Sequence, residues 1–358
     1  MKKILVTGSG GIGGVNFVRA LRATKKEFHI VGTDFNRYYI QFPEIDIRVG
    51  SPRHSDPKFI ELISHLISKH SIEFLHPQPS SEAQIIAQNI EKIPTQTFLP
   101  SYEVMIKDKL ETQKILAQKG IAVAKTMTIK SVDEIEHVFD SFKMKPLWIR
   151  AKKGAGGNLS LLCSTVDEIK HWVSLWVKKN KAEFSDFMIQ QNLPGRNIAW
   201  DSFWYDGKLL ASFTRERLEY PFKHISPSGI TGTPTVSQII VNRTVNQIGQ
   251  DAVLAVDKKP HGNYSVDLKG DENDHFHITE IDSGKFHTTT PLWGYISTKT
   301  LKMELEYNLP YLYVMLGTKT IEPKSLGTDI YPEGLYLLRH IDCGVWLWRE
   351  NGYKEQVI

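Results

Sequence analysis

Cysteine is scarce in this sequence: Cys163 and Cys343 are the two in 358 residues. That excludes a disulfide framework and a thiolate metal site as organising features, and a reducing compartment is expected. Long apolar runs are missing too. No segment approaches the ~18 apolar residues of a membrane span. The run in MKKILVTGSGG stops at glycine, too soon for a secretory leader. The expectation is a soluble, cytoplasmic protein with no membrane partner. Charge of one sign is not concentrated: the formal +4 has no basic block behind it. No nucleic acid partner is implied, while acidic small molecules stay in play. A G-x-x-x-x-G-K-[ST] run is absent, which excludes a Walker phosphate loop. What is present is an ordinary globular composition, 41% hydrophobic, 23% charged and 10% aromatic, in a chain long enough for two or three lobes.

The first hundred residues alternate strand and helix patterns. Lys3 to Thr7 form a short β-branched run, Gly8, Gly10 and Gly13 fit G-x-G-x-x-G, and Val15, Val18 and Leu21 lie at helical spacing. A strand from Phe28 to Thr33 ends at Asp34, about twenty residues past the last glycine, which completes a Rossmann-like βαβ unit. A helix near 57–70, a strand near 72–76 and a helix near 81–91 follow, and the unit closes near Pro100. Two readings are open. Either Asp34 holds the ribose of a dinucleotide, or the glycines serve close helix packing. Tyr295 and Lys299 spell the Y-x-x-x-K pair of reductases and epimerases, but so late in the chain that helical surface spacing is the simpler account.

In the middle of the chain Ser101 reads as an N-cap, Leu110, Ile115 and Leu116 as an apolar helix face, and Gly120 as its stop. A strand over 121–128, a helix over 132–142 and the strand PLWIR, ending at Arg150, come next. AKKGAGGNLSLLC then sets Gly154, Gly156 and Gly157 between two strands. Such a hairpin can fold over a triphosphate and offer backbone N–H groups, with Lys109 and Arg150 adding positive charge. A plain flexible turn explains the same glycines. Phe187 to Gln191 reads as a strand entering NLPG, an extended segment able to present main-chain groups to an adenine edge. WDSFWYDGKLLASFTRER then turns back at Asp206-Gly207. Arg215 and Arg217, two apart, share one strand face, either as solvated charges or as an anion grip.

The most informative stretch is HGNYSVDLKGDENDHFHITEIDSGK. Glu280 and Asp282 alternate along the second strand and share a face. With the turn centred between Asn273 and Asp274, Asp267 stands opposite Glu280. Two such carboxylates at ~4 Å repel by about 4 kcal/mol at an effective dielectric of ~20, so something cationic must offset them. Donors that are all hard oxygens suit Mg²⁺ or Mn²⁺ bridging phosphates. An exposed acidic hairpin is the blander account, opposed by Ile278 and Ile281, which mark a packed strand. His275 and His277 lack further ligands for zinc. The segment from Tyr331 to Trp348 reads as one or two closing strands, with Arg339 and Asp342 structural.

In their order these parts resemble the ATP-grasp superfamily, closest to the carbamoyl-phosphate synthase large subunit and the amino-acid and peptide ligases. The resemblance covers nearly the whole chain and rests on DKLETQKIL before GIAVAKT, IRAKKGAGG, QQNLPG and TEID. It implies mixed α/β and α+β architecture: a Rossmann-like preATP-grasp lobe over 1–100, a phosphate-loop lobe over 101–190 and a C-terminal lobe with the metal site over 191–358. It further implies a C–N-bond-forming ligase that uses ATP and magnesium or manganese to activate a small-molecule carboxylate for attack by an amine. By position Lys109, Arg150, Gly154, Gly156 and Gly157 match the phosphate grip. Gln190, Gln191, Asn192 and Leu193 match the adenine hinge, and Asp267, Glu280 and Asp282 the metal ligands. Arg217 matches an arginine that stabilises the transferring phosphoryl group, and Lys285 stands near a substrate arginine. There are departures: Asn197 stands where a ribose-binding glutamate is common, Asp282 where asparagine is usual, and Lys285 follows with an extra residue. His287 and, more weakly, Ser80, Ser81 and Glu82 are further substrate-side candidates. A homodimer is compatible with this reading. Alternatives from other classes are an NAD(P)-dependent reductase or epimerase using the first lobe, a kinase that stops at the phosphorylated product, and a non-catalytic ATP-binding protein.

Overall fold

The computed structural model describes residues 1–358 except Ala155, Gly156, Asn158 and Asp342. Gly156 of the glycine hairpin and Asp342 of the closing strands therefore lie outside the described residues. Among those described, the strands form three sheets. The first holds β1 (Lys2–Thr7), β2 (Phe28–Asp34), β3 (Ile47–Gly50) and β4 (Phe74–Pro77) in the parallel order β3-β2-β1-β4. Helices α1 (Ile12–Ala23), α2 (Lys58–His70) and α3 (Ser80–Gln88) cover it. Sequence reasoning missed β3, an edge strand whose side chains alternate between half-buried and exposed and so give no apolar signal.

The glycine turn after β1 is closed by its own neighbourhood. A Cβ on Gly10 would lie 2.6 Å from the Tyr39 carbonyl oxygen, and one on Gly13 would meet the Gln78 side chain at 2.5 Å. The Asp34 carboxylate accepts from the Gly10 N–H at 3.0 Å and from the Asn36 N–H at 2.8 Å. The donor that a pyrophosphate would use, and the acid that a ribose would use, are engaged with each other. This favours the packing account of the motif.

Ser101 opens only the four-residue helix α4 (Tyr102–Met105), without a side-chain cap. The main helix, α5 (Lys109–Gln118), starts afresh where Asp108 accepts from the Glu111 N–H, as a capping aspartate does. Gly120, at φ +73°, follows its end. The expected strand over 121–128 shrinks to β5 (Thr126–Thr128), because Val123 instead bridges to Ile278 in another sheet. The second sheet joins β5 to β6 (Leu147–Ala151), β7 (Leu161–Cys163) and β8 (Phe187–Gln191) in the order β5-β8-β6-β7. Helices α6 (Glu134–Asp140) and α7 (Val166–Lys178) pack on it around Ile149, Ile169 and Phe187.

The third sheet contains β9 (Asn197–Tyr205), β10 (Lys208–Glu219), β11 (Val236–Ile240), β12 (Gly262–Gly270), β13 (Phe276–Ser283), β14 (Tyr336–His340), β15 (Gly344–Trp348) and β16 (Lys354–Gln356). Its order is β13-β12-β9-β10-β11-β14-β15-β16. Helix α8 (Arg243–Val256) covers one face, where Trp200, Val253 and Leu116 of α5 share a core. On the other face α9 (Thr290–Lys299) and α10 (Leu309–Gly317) join the sheet to α1, so that Phe17, Phe213 and Tyr313 belong to one apolar cluster. The first and third sheets are thus fixed to each other, while the second sheet has a core of its own. No helix among the described residues is long and apolar enough to cross a membrane. Cys163 is buried, Cys343 is exposed, and both are free thiols.

Candidate active site

A cavity of about 340 Å³ lies between the second and third sheets, at the lower end of the range usual for small-molecule sites. Its roof is the β6–β7 hairpin with Trp148, Arg150, Gly154 and Gly157, and one wall is Gln190 to Leu193 where β8 ends. Asn197 and the neighbouring arginines of β10, Arg215 and Arg217, line it as well. The floor is Asp267 of β12, Glu280 and Asp282 of β13, and Lys285 to Thr289 beyond, Phe286 excepted. Lys109 enters from the start of α5, whose packing on the third sheet sets its position, and donates to the Gly154 carbonyl at 2.5 Å. Ser80, Ser81, Glu82, His275, His277, Tyr295 and Lys299 do not line this cavity.

The β12–β13 register explains how the acids reach the floor. Asp267 pairs with Glu280 and Ser265 with Asp282, as a turn centred after Asn273 requires. Nearer the turn the pairing slips by one residue, with Leu268 opposite Ile278 and Thr279 left over as a bulge. Plain alternation would put Ile278 on the acidic face, because it is two residues from Glu280. The bulge sends it to the other face, where it is fully buried in the α8-side core. One extra residue thus lets the strand present carboxylates to the cavity and isoleucines to the core.

The acids do not gather into one metal cage. Among the described residues no three His, Cys, Asp or Glu side chains come close enough together to hold an ion. Each acid has turned to basic partners instead. Glu280 meets Lys109 at 3.0 Å and Arg150 at 2.9 Å, and Arg217 grips both oxygens of Asp267 at 2.7 and 2.6 Å. Asp282 lies 3.4 Å from Lys285 and 3.7 Å from His287. Burial pushes the Asp267 carboxyl up, yet Arg217 and then His287 hold it below the usual carboxylate range. Mutual repulsion is therefore relieved by side-chain cations. The donor set still fits a hard divalent ion, since all three acids offer carboxylate oxygens to one cavity.

Positive charge dominates the lining: Lys109, Arg150, Lys153, Arg215, Arg217, Lys269 and Lys285 against three carboxylates. Such a surplus suits a polyanion. Sequence reasoning missed Lys153, Lys269, whose ammonium lies 5.9 Å from the Trp148 ring centre, and Asp201. Asp201 is fully buried on β9 with Arg215, itself 2% exposed, 2.9 Å away. A lone aspartate in the aromatic run IAWDSFW was the signal available for it. Asn197 donates to the Tyr220 hydroxyl at 3.0 Å. Two side chains beside the first sheet hold the floor loop: Gln78, just past β4, donates to the Phe286 carbonyl at 2.8 Å, and Asn16 of α1 to the Thr288 carbonyl at 3.0 Å.

No protein-family model matches the chain, and no curated protein matches it in sequence. Solved structures do match. A biotin carboxylase–β-γ-ATP complex from Campylobacter jejuni superimposes with a TM-score of 0.68 at 11% identity, over 94% of this chain and 74% of that one. N5-carboxyaminoimidazole synthetase from Staphylococcus aureus, complexed with ADP, gives 0.67 at 14% identity over 95% and 82%. L-amino acid ligase from Bacillus licheniformis gives 0.65 at 12% identity over 94% and 79%. Likeness at this level of identity speaks for architecture, and over nearly the whole length it is unambiguous: the chain has the ATP-grasp fold.

Proposed function

We propose that this protein is an ATP- and magnesium-dependent carboxylate–amine ligase acting through an acyl phosphate in the cytoplasm. The observation that carries the proposal is the single cavity in which a glycine hairpin, an extended hinge, a surplus of basic side chains and three carboxylates meet. The structures that share the fold include complexes with ADP and with β-γ-ATP, and an amino-acid ligase. The division at 1–100, 101–190 and 191–358 belongs to the same proposal.

In this scheme Gln190 to Leu193 take the adenine edge, and Lys109, Arg150 and the backbone of the Gly154–Gly157 hairpin take the phosphates. Asp267, Glu280 and Asp282 would hold magnesium, with manganese as the alternative, and the ion supplies charge neutralisation to the phosphates when bound. Arg217 faces the transferring phosphoryl group and Lys285 the carboxylate substrate. A carboxylate oxygen attacks the γ-phosphorus, the bond to the β–γ bridging oxygen breaks, and ADP departs with that electron pair. The amine nitrogen then attacks the acyl carbon, and the C–O bond to phosphate breaks. A proton passes from nitrogen to solvent, leaving an amide and inorganic phosphate. Pre-positioned cations suit this chemistry, which needs charge stabilisation more than covalent help from the protein.

The test is release of ADP and phosphate with a panel of carboxylates, each with and without amines. Release of both, dependent on carboxylate and amine, is expected. AMP release would refute the reading, and carboxylate-dependent ADP release without inorganic phosphate, unchanged by amines, would leave a kinase.

A further inference from the structure

The floor loop between β13 and α9 has two of its main-chain carbonyls pinned from outside the cavity. The Phe286 carbonyl accepts from the Gln78 side chain at 2.8 Å, and the Thr288 carbonyl from Asn16 at 3.0 Å. Neither donor lines the cavity, and they are only 7% and 3% exposed. A carbonyl takes only a donor, so each side-chain amide turns its nitrogen to the loop. The amide oxygens are engaged elsewhere: Asn16 Oδ1 accepts from Arg19 at 2.9 Å, and Gln78 Oε1 lies 3.0 Å from His76 Nε2.

In a trans peptide the carbonyl and the N–H that follows it point in opposite directions. Both peptides here are trans. Pinning the Phe286 and Thr288 carbonyls toward the first sheet therefore turns the His287 and Thr289 N–H groups the other way, and both of those residues line the cavity. Among the described residues neither N–H has a hydrogen-bond acceptor. Thr289 is 1% exposed, and a main-chain donor so enclosed is rarely left alone. Positive charge borders the pair: Arg215 donates to the Thr289 hydroxyl, and Lys285 lines the same floor. Fixed N–H groups beside fixed cations are the equipment of an oxyanion site.

We infer that Asn16 and Gln78 are positioning residues that aim the His287 and Thr289 N–H groups at an oxyanion in the cavity, through a carboxylate or phosphate oxygen. Which molecule brings that oxygen rests on the ligase reading; the site and its pinning do not.

Amide resonances of the full chain report the site directly. Phenylalanine labelled with ¹³C at the carbonyl, combined with ¹⁵N-histidine, marks the N–H of His29, His277 and His287 alone, and the same scheme with threonine marks Thr289 and Thr290. Inorganic phosphate and acetate are titrated separately, without nucleotide. At least one of them is expected to move the His287 and Thr289 signals saturably while His29 and His277 stay still. Movement with phosphate alone assigns a phosphoryl oxygen to the site, and movement with acetate a carboxylate oxygen. No saturable movement with either anion would overturn the oxyanion site.

Asn16→Leu and Gln78→Met keep the volume and remove the donor. In each variant, with folding checked by thermal melting, anion binding is expected to weaken at least about tenfold. In carboxylate-dependent phosphate release kcat is expected to fall by about 10²-fold while the ATP KM holds. Wild-type anion affinity in both folded variants would overturn the positioning claim, as would a loss confined to melting temperature. Should the wild-type protein release no phosphate with any carboxylate, the ligase reading falls, and the amide titration still decides the site.

Discussion

Glu82 offers a quantitative test of how the first sheet is packed. Its side chain on α3 is 5% exposed, and Oε2, beside the Gly8 turn, has no hydrogen-bond partner. Burial, with a smaller push from Asp34, raises the carboxyl from 4.5 to about 7. The unfolded chain therefore gives up this proton near pH 4.5, while the folded chain keeps it until about pH 7. Stability that is complete below pH 4.5 is lost as pH rises through about 7. At 1.36 kcal/mol per unit the loss is about 3 kcal/mol. Glu82→Gln has the same shape and no proton to lose. Urea unfolding of wild type and E82Q across this window is the assay, because shared titrations cancel in the difference. The variant is expected to gain on the wild type by about 3 kcal/mol between pH 4.5 and about pH 8. A difference that stays constant with pH would refute a buried, neutral Glu82.

Gly10→Ala must force a methyl against the Tyr39 main chain and should cost about 1–3 kcal/mol by urea unfolding, while ATP binding is unchanged. Millimolar NADH should give no thermal shift, because Asp34 already occupies the Gly10 N–H; a shift comparable to that from ATP would reopen the dinucleotide reading. Arg217→Lys breaks the two-pronged grip on Asp267 and should lower kcat by about 10²-fold with little change in the ATP KM; a change confined to KM would remove Arg217 from phosphoryl transfer. Ellman's reagent should label one thiol quickly in the folded protein, the exposed Cys343, and two in urea, because burial and then Glu168 push Cys163 up to about 12. Two fast thiols would contradict the packing of the second sheet.

Much of this fold was legible because its signals are local. The glycine hairpin between β6 and β7, the Asp206-Gly207 turn and the alternation of Glu280 and Asp282 each declare themselves within a few residues. The Asp267–Glu280 pairing followed from turn position alone. Less visible were features that depend on partners distant in sequence. The Thr279 bulge exists because Ile278 must face the core while Glu280 faces the cavity. The acids' pairing with Lys109, Arg150, Arg217 and Lys285 depends on how three sheets meet, so spacing suggested a tight trio where side-chain cations now stand. Asp201 and Thr289 are joined through Arg215 across β9, β10 and the floor loop, and no periodicity links them. The G-x-G-x-x-G motif was ambiguous for the opposite reason: its local signal is strong and fits two readings, and the geometry it encodes is met by Tyr39, Gln78 and Asp34.

The most direct measurement is calorimetric titration of a non-hydrolysable ATP analogue into wild type, Glu280→Ala and Asp267→Ala, with and without Mg²⁺. Binding by the wild type should tighten at least about tenfold with Mg²⁺, and that gain should vanish in both variants while their melting transitions stay cooperative. Binding that ignores Mg²⁺, or that survives both substitutions unchanged, would contradict a nucleotide–metal site on the floor of this cavity.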